Sequence, residues 1–516
     1  MATKKASKKT TKKSAPKKAA RKPAKKAAKK VATKTRAGGK GQLRVRMYRV
    51  GFGDFFLITV PTKAGPKHIL IDCGVHAGDI GSMEACVQDL AKETNRKLAL
   101  VVVTHYHADH LSGFASQFEE FTKFEVDMVW ITNRLDPSRK DSRKFKAQIA
   151  EVANKLQLRL GARENQDEAT ALAMAKLQNA TGRAFGVKGK KKKEGSNEKA
   201  LRLVTKEFGG KPPVKYYQGG QKPLLPKSLQ GSITAELLGP APLTSGKEFA
   251  SSDNKSAQYI MHAADNGLPP TDTLMPFEKK WPAVAGDYNE WTFKEYRTEA
   301  DIKARVPGTE TWLRMEKVLQ DAQPDTLLAI ADAVDGTLNN QSLVILFTCK
   351  GKKLLFVGDA QWGNWAYWLY GKKSSGQDLP TIKERANEIL GSIDFYKVGH
   401  HGSSNANPIP AMAALNPTCV SMCSTESSDA YPGKKRPYGT ISKDPNKKGT
   451  EVPRITLMEE MEKRTHNRLV RSDWIELDDP KAELEVKASP EAKGQLKKLP
   501  PNFSKGDLYV DYVFPK

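Results

Sequence analysis

Three imidazoles and a carboxylate fall within six residues, His105-Tyr-His107-Ala-Asp109-His110. A second pair of imidazoles follows at His400-His401. Two aspartates each close an apolar run, Asp72 after Ile69-Leu-Ile71 and Asp359 after Leu354-Leu-Phe-Val-Gly358. Imidazole and carboxylate are suitable ligands for zinc, iron or manganese, and so dense a polar group has no use in an apolar core. His105 and His107, two residues apart, can point the same way from an extended loop. Asp109 and His110 sit where a helix starts and can address a second ion nearby. Two ions ~3.5–4 Å apart form the clamp used in phosphoester hydrolysis. Asp359 is the natural bridge, because a buried unpaired carboxylate is costly and two cations remove that cost. Asp72 reads as a residue that orients a ligand imidazole rather than as a ligand. His68, His76, His262 and His466 stand alone and read as surface or structural residues.

The surrounding elements explain how such groups could meet. Leu98–Val103, Lys353–Val357 and Ile393–Val398 are short apolar runs bounded by turns, the pattern of buried central strands. Each ends at one of the polar clusters, and polar groups at strand ends converge on one crevice in layered α/β architectures. Leu43, Val45 and Met47 alternate with polar residues, as in a half-buried strand. Further strands are expected at 55–60, 68–71, 233–238, 342–347, 419–422, 473–477 and near the C-terminus, where Leu508, Val510, Tyr512 and Phe514 share a face. Cys349-Lys-Gly351 reads as a hairpin turn. Helices are expected over about 81–94 and after the histidines, where Leu111, Phe114, Phe118 and Phe121 recur at helical spacing. Ile149, Val152, Leu156 and Leu160 form an apolar stripe in the charged stretch 144–177. The expected organisation is a basic tail over 1–41 and one domain over 42–516, with insertions at about 145–230 and 242–320.

Thr104-His-Tyr-His-Ala-Asp-His110 resembles the HxHxDH signature of the metallo-β-lactamase superfamily, with Asp72 in its first motif and Gly358-Asp-Ala360 in its bridging-aspartate motif. Val50-Gly-Phe-Gly-Asp54, Asn339-Asn-Gln-Ser-Leu-Val344, Leu355–Ala360 and Lys397-Val-Gly-His-His-Gly-Ser403 resemble the hydrolase domain of the DNA-uptake channel protein ComEC and its soluble relatives. The resemblance implies a four-layer αββα sandwich and two divalent metal ions, zinc first and manganese second. It implies that His105, His107 and one of His400/His401 hold one ion, that Asp109, His110 and Asp359 hold the other, and that Asp359 is shared. The remaining histidine of the pair would contact substrate phosphate or protonate a leaving group, and Asp109 would assist proton transfer. Members of that branch often carry one more histidine after HHGS. Ser428–Tyr438 has none, so Asp429 or Tyr431 would substitute, or the second site has three ligands. The expected activity is that of a metal-dependent hydrolase, a phosphodiesterase or nuclease acting by metal-activated water. The alternatives are a hydrolase of a small ester or thioester, and a nucleoid-associated binding protein with an inactive site.

Composition bears on partners. The chain of 516 residues carries 85 Lys+Arg against 58 Asp+Glu, a formal net charge of +27. Residues 1–40 hold 17 basic residues and no acid, leaving only +10 for the rest. This Lys/Ala/Pro/Thr mixture has too little apolar area to offset its ordering entropy and is expected to be disordered. It resembles the basic tails of linker histones and bacterial histone-like proteins, and dense charge of one sign binds polyanions by releasing counterions. No window is long and apolar enough for a membrane helix, and the first forty residues contain no apolar stretch of a secretory signal. Five cysteines are too few and too odd in number for a disulfide framework. A cytoplasmic, nucleoid-associated setting is therefore expected. Deleting residues 1–40 should sharply weaken retention on DNA or heparin at low salt; elution of both forms in a salt gradient checks this, and unchanged retention counts against it.

Overall fold

The computed structural model describes residues 41–76, 81–161, 168–182, 194–242, 324–371, 381–426, 452–473 and 499–516. Residues 1–40, nearly all of the 242–320 stretch, Asp429, Tyr431 and the strand expected over 474–477 lie outside them.

The strands are β1 Arg44–Tyr48, β2 Phe56–Thr62, β3 Gly65–Ile71, β4 Lys97–Leu98, β5 Leu100–Val103, β6 Glu125–Val126, β7 Val129–Thr132, β8 Val214–Tyr217, β9 Thr234–Gly239, β10 Val344–Cys349, β11 Lys352–Phe356, β12 Phe395–Lys397, β13 Val420–Cys423, β14 Leu469–Arg471, β15 Phe503–Lys505 and β16 Tyr509–Val513. The helices are α1 Met83–Thr94, α2 Ala108–Ser116, α3 Phe118–Phe121, α4 Lys140–Gly161, α5 Glu168–Thr181, α6 Ser196–Arg202, α7 Pro324–Asn339, α8 Trp362–Tyr370, α9 Glu384–Leu390, α10 Ile409–Ala414 and α11 Ile455–Arg464.

Among the described residues, two large sheets carry the mixed α/β fold. One has the order β15-β16-β1-β2-β3-β5-β7-β8, the other β14-β13-β12-β11-β10-β9. Each is antiparallel on one side and parallel on the other, with β3, β5, β7 and β8 parallel in the first sheet and β11 to β14 in the second. Their inner faces share a core. Val45, Met47, Phe56, Val102 and Trp130 from the first sheet meet Phe347, Phe356, Phe395 and Met422 from the second, and Trp130 stacks on Phe347 with ring centroids 6.3 Å apart. The opposite face of the larger sheet, with Leu57, Leu70, Val101 and Val103, packs under α1, α2, α4, α5 and α7. The outer face of the smaller sheet, with Leu346, Leu355 and Tyr396, packs under α8 to α11. Because both faces of each sheet are covered, the central strands are apolar throughout, as in Leu100-Val-Val-Val103.

Several expectations change in detail. β1 is covered on both faces rather than half-buried: Arg46 is 2% exposed. Its guanidinium pairs with Asp511 (2.8 Å) and with Asp89 of α1 (2.7 Å) and lies over the Tyr509 ring. The helix after the histidines breaks at Gln117 into α2 and the one-turn α3. The described parts of the 145–230 stretch, expected as an insertion, pack on the same core. The Ile149, Val152, Leu156 and Leu160 stripe of α4 is buried there, and β8 extends the larger sheet by pairing with β7. The β10–β11 turn forms at Lys350 (φ 49°) and Gly351 (φ 75°), two consecutive left-handed residues as a tight hairpin requires. All five cysteines are buried and free. Among the described residues, no helix is long and apolar enough to cross a membrane.

The first half of the site is held by backbone clamps. The Asp54 N–H donates to the Asp109 carbonyl, the Cys73 N–H to that of His110 and the Gly113 N–H to that of Cys73, each at 2.9 Å. This close approach needs glycine at 74, where a Cβ would lie 2.4 Å from the Asp109 carbonyl carbon and the His110 nitrogen. Gly74→Ala should therefore cost about 1–3 kcal/mol through overpacking against immovable backbone, whereas Leu224→Ala, at a side chain 52% exposed, should change stability little; urea denaturation of the two variants checks this.

Candidate metal centre

The cluster forms where strand ends of both sheets meet. β5 runs into Thr104–His107, β3 into Asp72, β11 into Gly358-Asp359 and β12 into Gly399–His401. The Leu343 N–H donates to the Thr104 carbonyl (3.1 Å) and the His400 N–H to that of Gly358 (3.2 Å). Gly358 has φ 54°, and a Cβ there would lie 3.0 Å from Thr104, so glycine lets the two strand ends touch. Asp72 (φ 55°), His400 (φ 45°) and His401 (φ 53°) also adopt left-handed backbone. Such conformations cost on the order of 1–3 kcal/mol each and persist only where surrounding contacts impose them.

The sequence separates these groups by hundreds of residues, and the fold gathers them. His105, Asp109, His110 and Asp359 each offer a ligand atom within 4.8 Å of the others. His105 Nε2 lies 3.1 Å from His107 Nδ1. His110 Nε2 lies 3.0 Å from Asp359 Oδ2 and 3.8 Å from Asp109 Oδ1. His401 Nε2 lies 3.2 Å from Asp109 Oδ2 and 3.5 Å from Asp359 Oδ2. His401 thus sits on the Asp109–His110 side of the cluster. His400 Nε2 is 3.8 Å from Asp359 Oδ2, and its side chain is 14% exposed while those of the other cluster histidines are fully buried.

Asp72 is tied to the cluster by hydrogen bonds. Its Oδ2 accepts from His110 Nδ1–H (2.7 Å) and from the Thr104 hydroxyl (2.7 Å), and its Oδ1 accepts from the Thr104 N–H (2.8 Å). The Thr104 oxygen is in turn 3.1 Å from His105 Nδ1, so one carboxylate sets two rings. His401 Nδ1–H donates to the Ser424 carbonyl (2.8 Å). Asp54, Asp72 and His110 form a second group of metal-ligand type. Both Asp72 oxygens accept hydrogen bonds there, and Asp54 pairs with Lys397.

The sequence reading missed several contributors. Lys397 is 1% exposed and contacts Asp54, the Gly358 carbonyl (2.9 Å) and Asp359 Oδ1 (3.4 Å). Ser342 accepts from the Asp359 N–H (3.0 Å) and lies 3.2 Å from His105 Nδ1. Asn179 of α5 accepts from the Asp109 N–H (3.1 Å), and Asn197 of α6 donates to the Tyr106 carbonyl (2.9 Å). A lysine inside the apolar run 393–398 was a visible signal. Asn179 and Asn197 carry none, because their role depends on where α5 and α6 pack. His76, read as a lone residue, lies close enough for its titration to feel Asp109, His107 and His401.

Electrostatics decide what the cluster needs. Four buried carboxylates, Asp54, Asp72, Asp109 and Asp359, meet one permanent positive charge, Lys397. Burial opposes ionisation of Asp359, yet His110, His401, His400 and Lys397 hold it well below the usual carboxylate range. Burial likewise opposes ionisation of Asp109, which His110 and His401 pull down. Burial opposes charge on His110 too, but Asp359, Asp72 and Asp109 hold its proton well above the usual range, and His401 is raised in the same way by Asp359 and Asp109. Burial lowers His105, assisted by His110 and His107, and pushes His400 down to about 4. Asp109 Oδ1, His110 Nε2 and Asp359 Oδ2 have no hydrogen-bond partner. Unpartnered imidazole nitrogen and carboxylate oxygen facing one another, with excess negative charge, are a donor set that fits divalent cations.

Residues 48–121, which carry Asp54, Asp72 and His105–His110, match the sequence profile of the Metallo-beta-lactamase superfamily. The two sheets with helices on their outer faces are consistent with that fold. No curated protein matches the chain. Match and cluster together point to a metal-dependent hydrolase as the class of protein.

His110 and His401 hold protons where cations would bind, so metal uptake must expel them and affinity must rise with pH across the neutral range. Zinc added to chelator-stripped protein in weak buffer at about pH 7, near the ordinary histidine value, should acidify the solution, as read by an indicator dye. Uptake without proton release would show that both rings are already neutral.

Proposed function

We propose that the chain is a metal-dependent phosphodiesterase or nuclease, held on nucleic acid by residues 1–40. The observation that carries this reading is the convergence of unpartnered Asp109 Oδ1, His110 Nε2 and Asp359 Oδ2 beside His105, His107 and His401. The motif resemblance to ComEC-like hydrolases and the polyanion-seeking tail support phosphodiesters over other esters.

Asp109, His110 and His401 would hold one divalent ion, His105 and His107 the other, and Asp359 would be shared. When bound, such ions supply a lowered pKa for water and stabilisation of charge developing on phosphoryl oxygens. The chain's own residues do the rest. Asp72, Thr104, Ser342 and the Ser424 carbonyl keep the rings oriented without relaxation during reaction. Lys397 engages Oδ1 of Asp359 and leaves Oδ2 to face the histidines. Asp109, unpartnered at Oδ1, would take a proton from attacking water. His400 is the cluster histidine with access to solvent, and its Nδ1 has no partner. Held neutral, it donates a hydrogen bond to a phosphoryl oxygen rather than acting as a strong acid.

The burial of every other histidine and carboxylate in the cluster favours a second reading, hydrolysis of a small ester that enters a narrow opening. One assay separates the two: single-stranded DNA, RNA, a chromogenic phosphodiester and a chromogenic carboxylic ester, each with added zinc or manganese. Wild type should cleave the phosphodiester substrates, and Asp109→Ala, His110→Ala and Asp359→Ala should each lose at least ~100-fold, the upper end of what removing a supporting partner costs. Cleavage of the carboxylic ester alone would favour the second reading. Equal rates in wild type and variants would rule out this cluster as the catalyst.

A further inference from the structure

His107 turns one ring nitrogen inward and one outward. Nδ1 faces His105 Nε2 at 3.1 Å, inside the cluster. Nε2 points away and has no hydrogen-bond partner. Three other rings are braced on their outward nitrogens: His110 by Asp72, His401 by the Ser424 carbonyl, and His105 by Thr104 and Ser342. The groups in front of His107 come from α7. Asp335 Oδ1 lies 3.7 Å from its Nε2, and the Asn339 side chain also faces the ring.

The helix makes this placement possible. Ala331, Val334 and Leu338 pack into the core of the larger sheet, which leaves Asp335 and Asn339, one turn apart, on the adjacent face. Asn339 Nδ2 donates to Asp335 Oδ2 (3.1 Å), so Oδ1 remains for His107. One turn earlier, Asp332 pairs with Lys176 of α5 (2.7 Å) and ties the helix down. Asp335 is buried and belongs to none of the motifs that carry the family resemblance.

We propose that Asp335, steadied by Asn339, is a positioning residue for the metal centre. Its Oδ1, 3.7 Å from Nε2, favours by charge the tautomer with the proton on Nε2 and thereby holds the ring with Nδ1 toward His105, the orientation in which His107 can be a ligand. A carboxylate behind a ligand imidazole sets its tautomer and raises its basicity, and its loss typically weakens metal binding ~10–100-fold. The proposal rests on the metal-centre reading above, and it would make α7 part of the site rather than a cover for the sheet.

The test is zinc affinity of the full chain, measured by competition with a chromophoric chelator, together with the visible spectrum of the cobalt-loaded protein. The proteins are wild type, Asp335→Ala, Asp335→Asn, His107→Ala and the Asp335→Ala/His107→Ala double variant. Asp335→Ala should bind zinc ~10–100-fold more weakly and shift the cobalt spectrum. Asp335→Asn, which keeps an acceptor oxygen without the charge, should lose less, but at least ~3-fold, and it carries the comparison should the alanine variant fail to fold. In the His107→Ala background, removing Asp335 should cost nothing further, because the two act as a unit. Additive losses, or Asp335 variants with wild-type affinity and spectrum, would overturn the proposal while the metal centre stands. A wild type that takes up no zinc would overturn the metal-centre reading and the proposal together.

Discussion

The structure depends on one electrostatic problem: four carboxylates buried together against a single lysine ammonium. An isolated buried carboxylate would take up a proton rather than persist as an anion. Here the histidines carry the compensating protons, His110 and His401 raised while His105 and His400 stay lowered. Such a set could trade protons for a divalent cation. That property belongs to no single residue, since each shift arises from the others.

The two-sheet architecture makes this concentration possible. Parallel strands within each sheet deliver their C-terminal ends to the same edge, so loops from β3, β5, β11 and β12 meet. Gly74 and Gly358 allow backbone to approach backbone at the two tightest points. Lys397 joins the sheets at that edge, contacting Asp54 from one and Asp359 from the other. The left-handed backbone at Asp72, His400 and His401 is the local cost of aiming side chains inward.

The helical segments between the motifs belong to this arrangement as well. Asn179 caps the start of α2 at Asp109, Asn197 holds the Tyr106 carbonyl, and α7 brings Asp335 and Asn339 to His107. The His105–His110 loop is thus enclosed on its outer side by chain that the motif pattern would treat as filler. A small cluster of Phe52, Ala175 and Val452 lies over the same region, with Phe52 against the His401 ring at 4.3 Å.

Much of this was legible before folding. Apolar runs ending in histidine or aspartate marked the central strands and the candidate ligands, because a strand buried on both faces must be apolar until it leaves the sheet. Val129–Thr132, Val214–Tyr217 and Leu469–Arg471 escaped notice because three or four residues among polar or Pro/Gly-rich sequence carry little periodic signal, and α7 and α8 because their buried polar and aromatic residues blur the helical pattern. The sequence by itself determined which groups could bind a cation, since donor chemistry is a property of residue type. Only the tertiary structure decided that His401 lies with Asp109 and His110, that Asp54 is neutralised by Lys397, and that Asp335 stands behind His107. Those are distances between strands and helices far apart in the chain, and packing alone sets them.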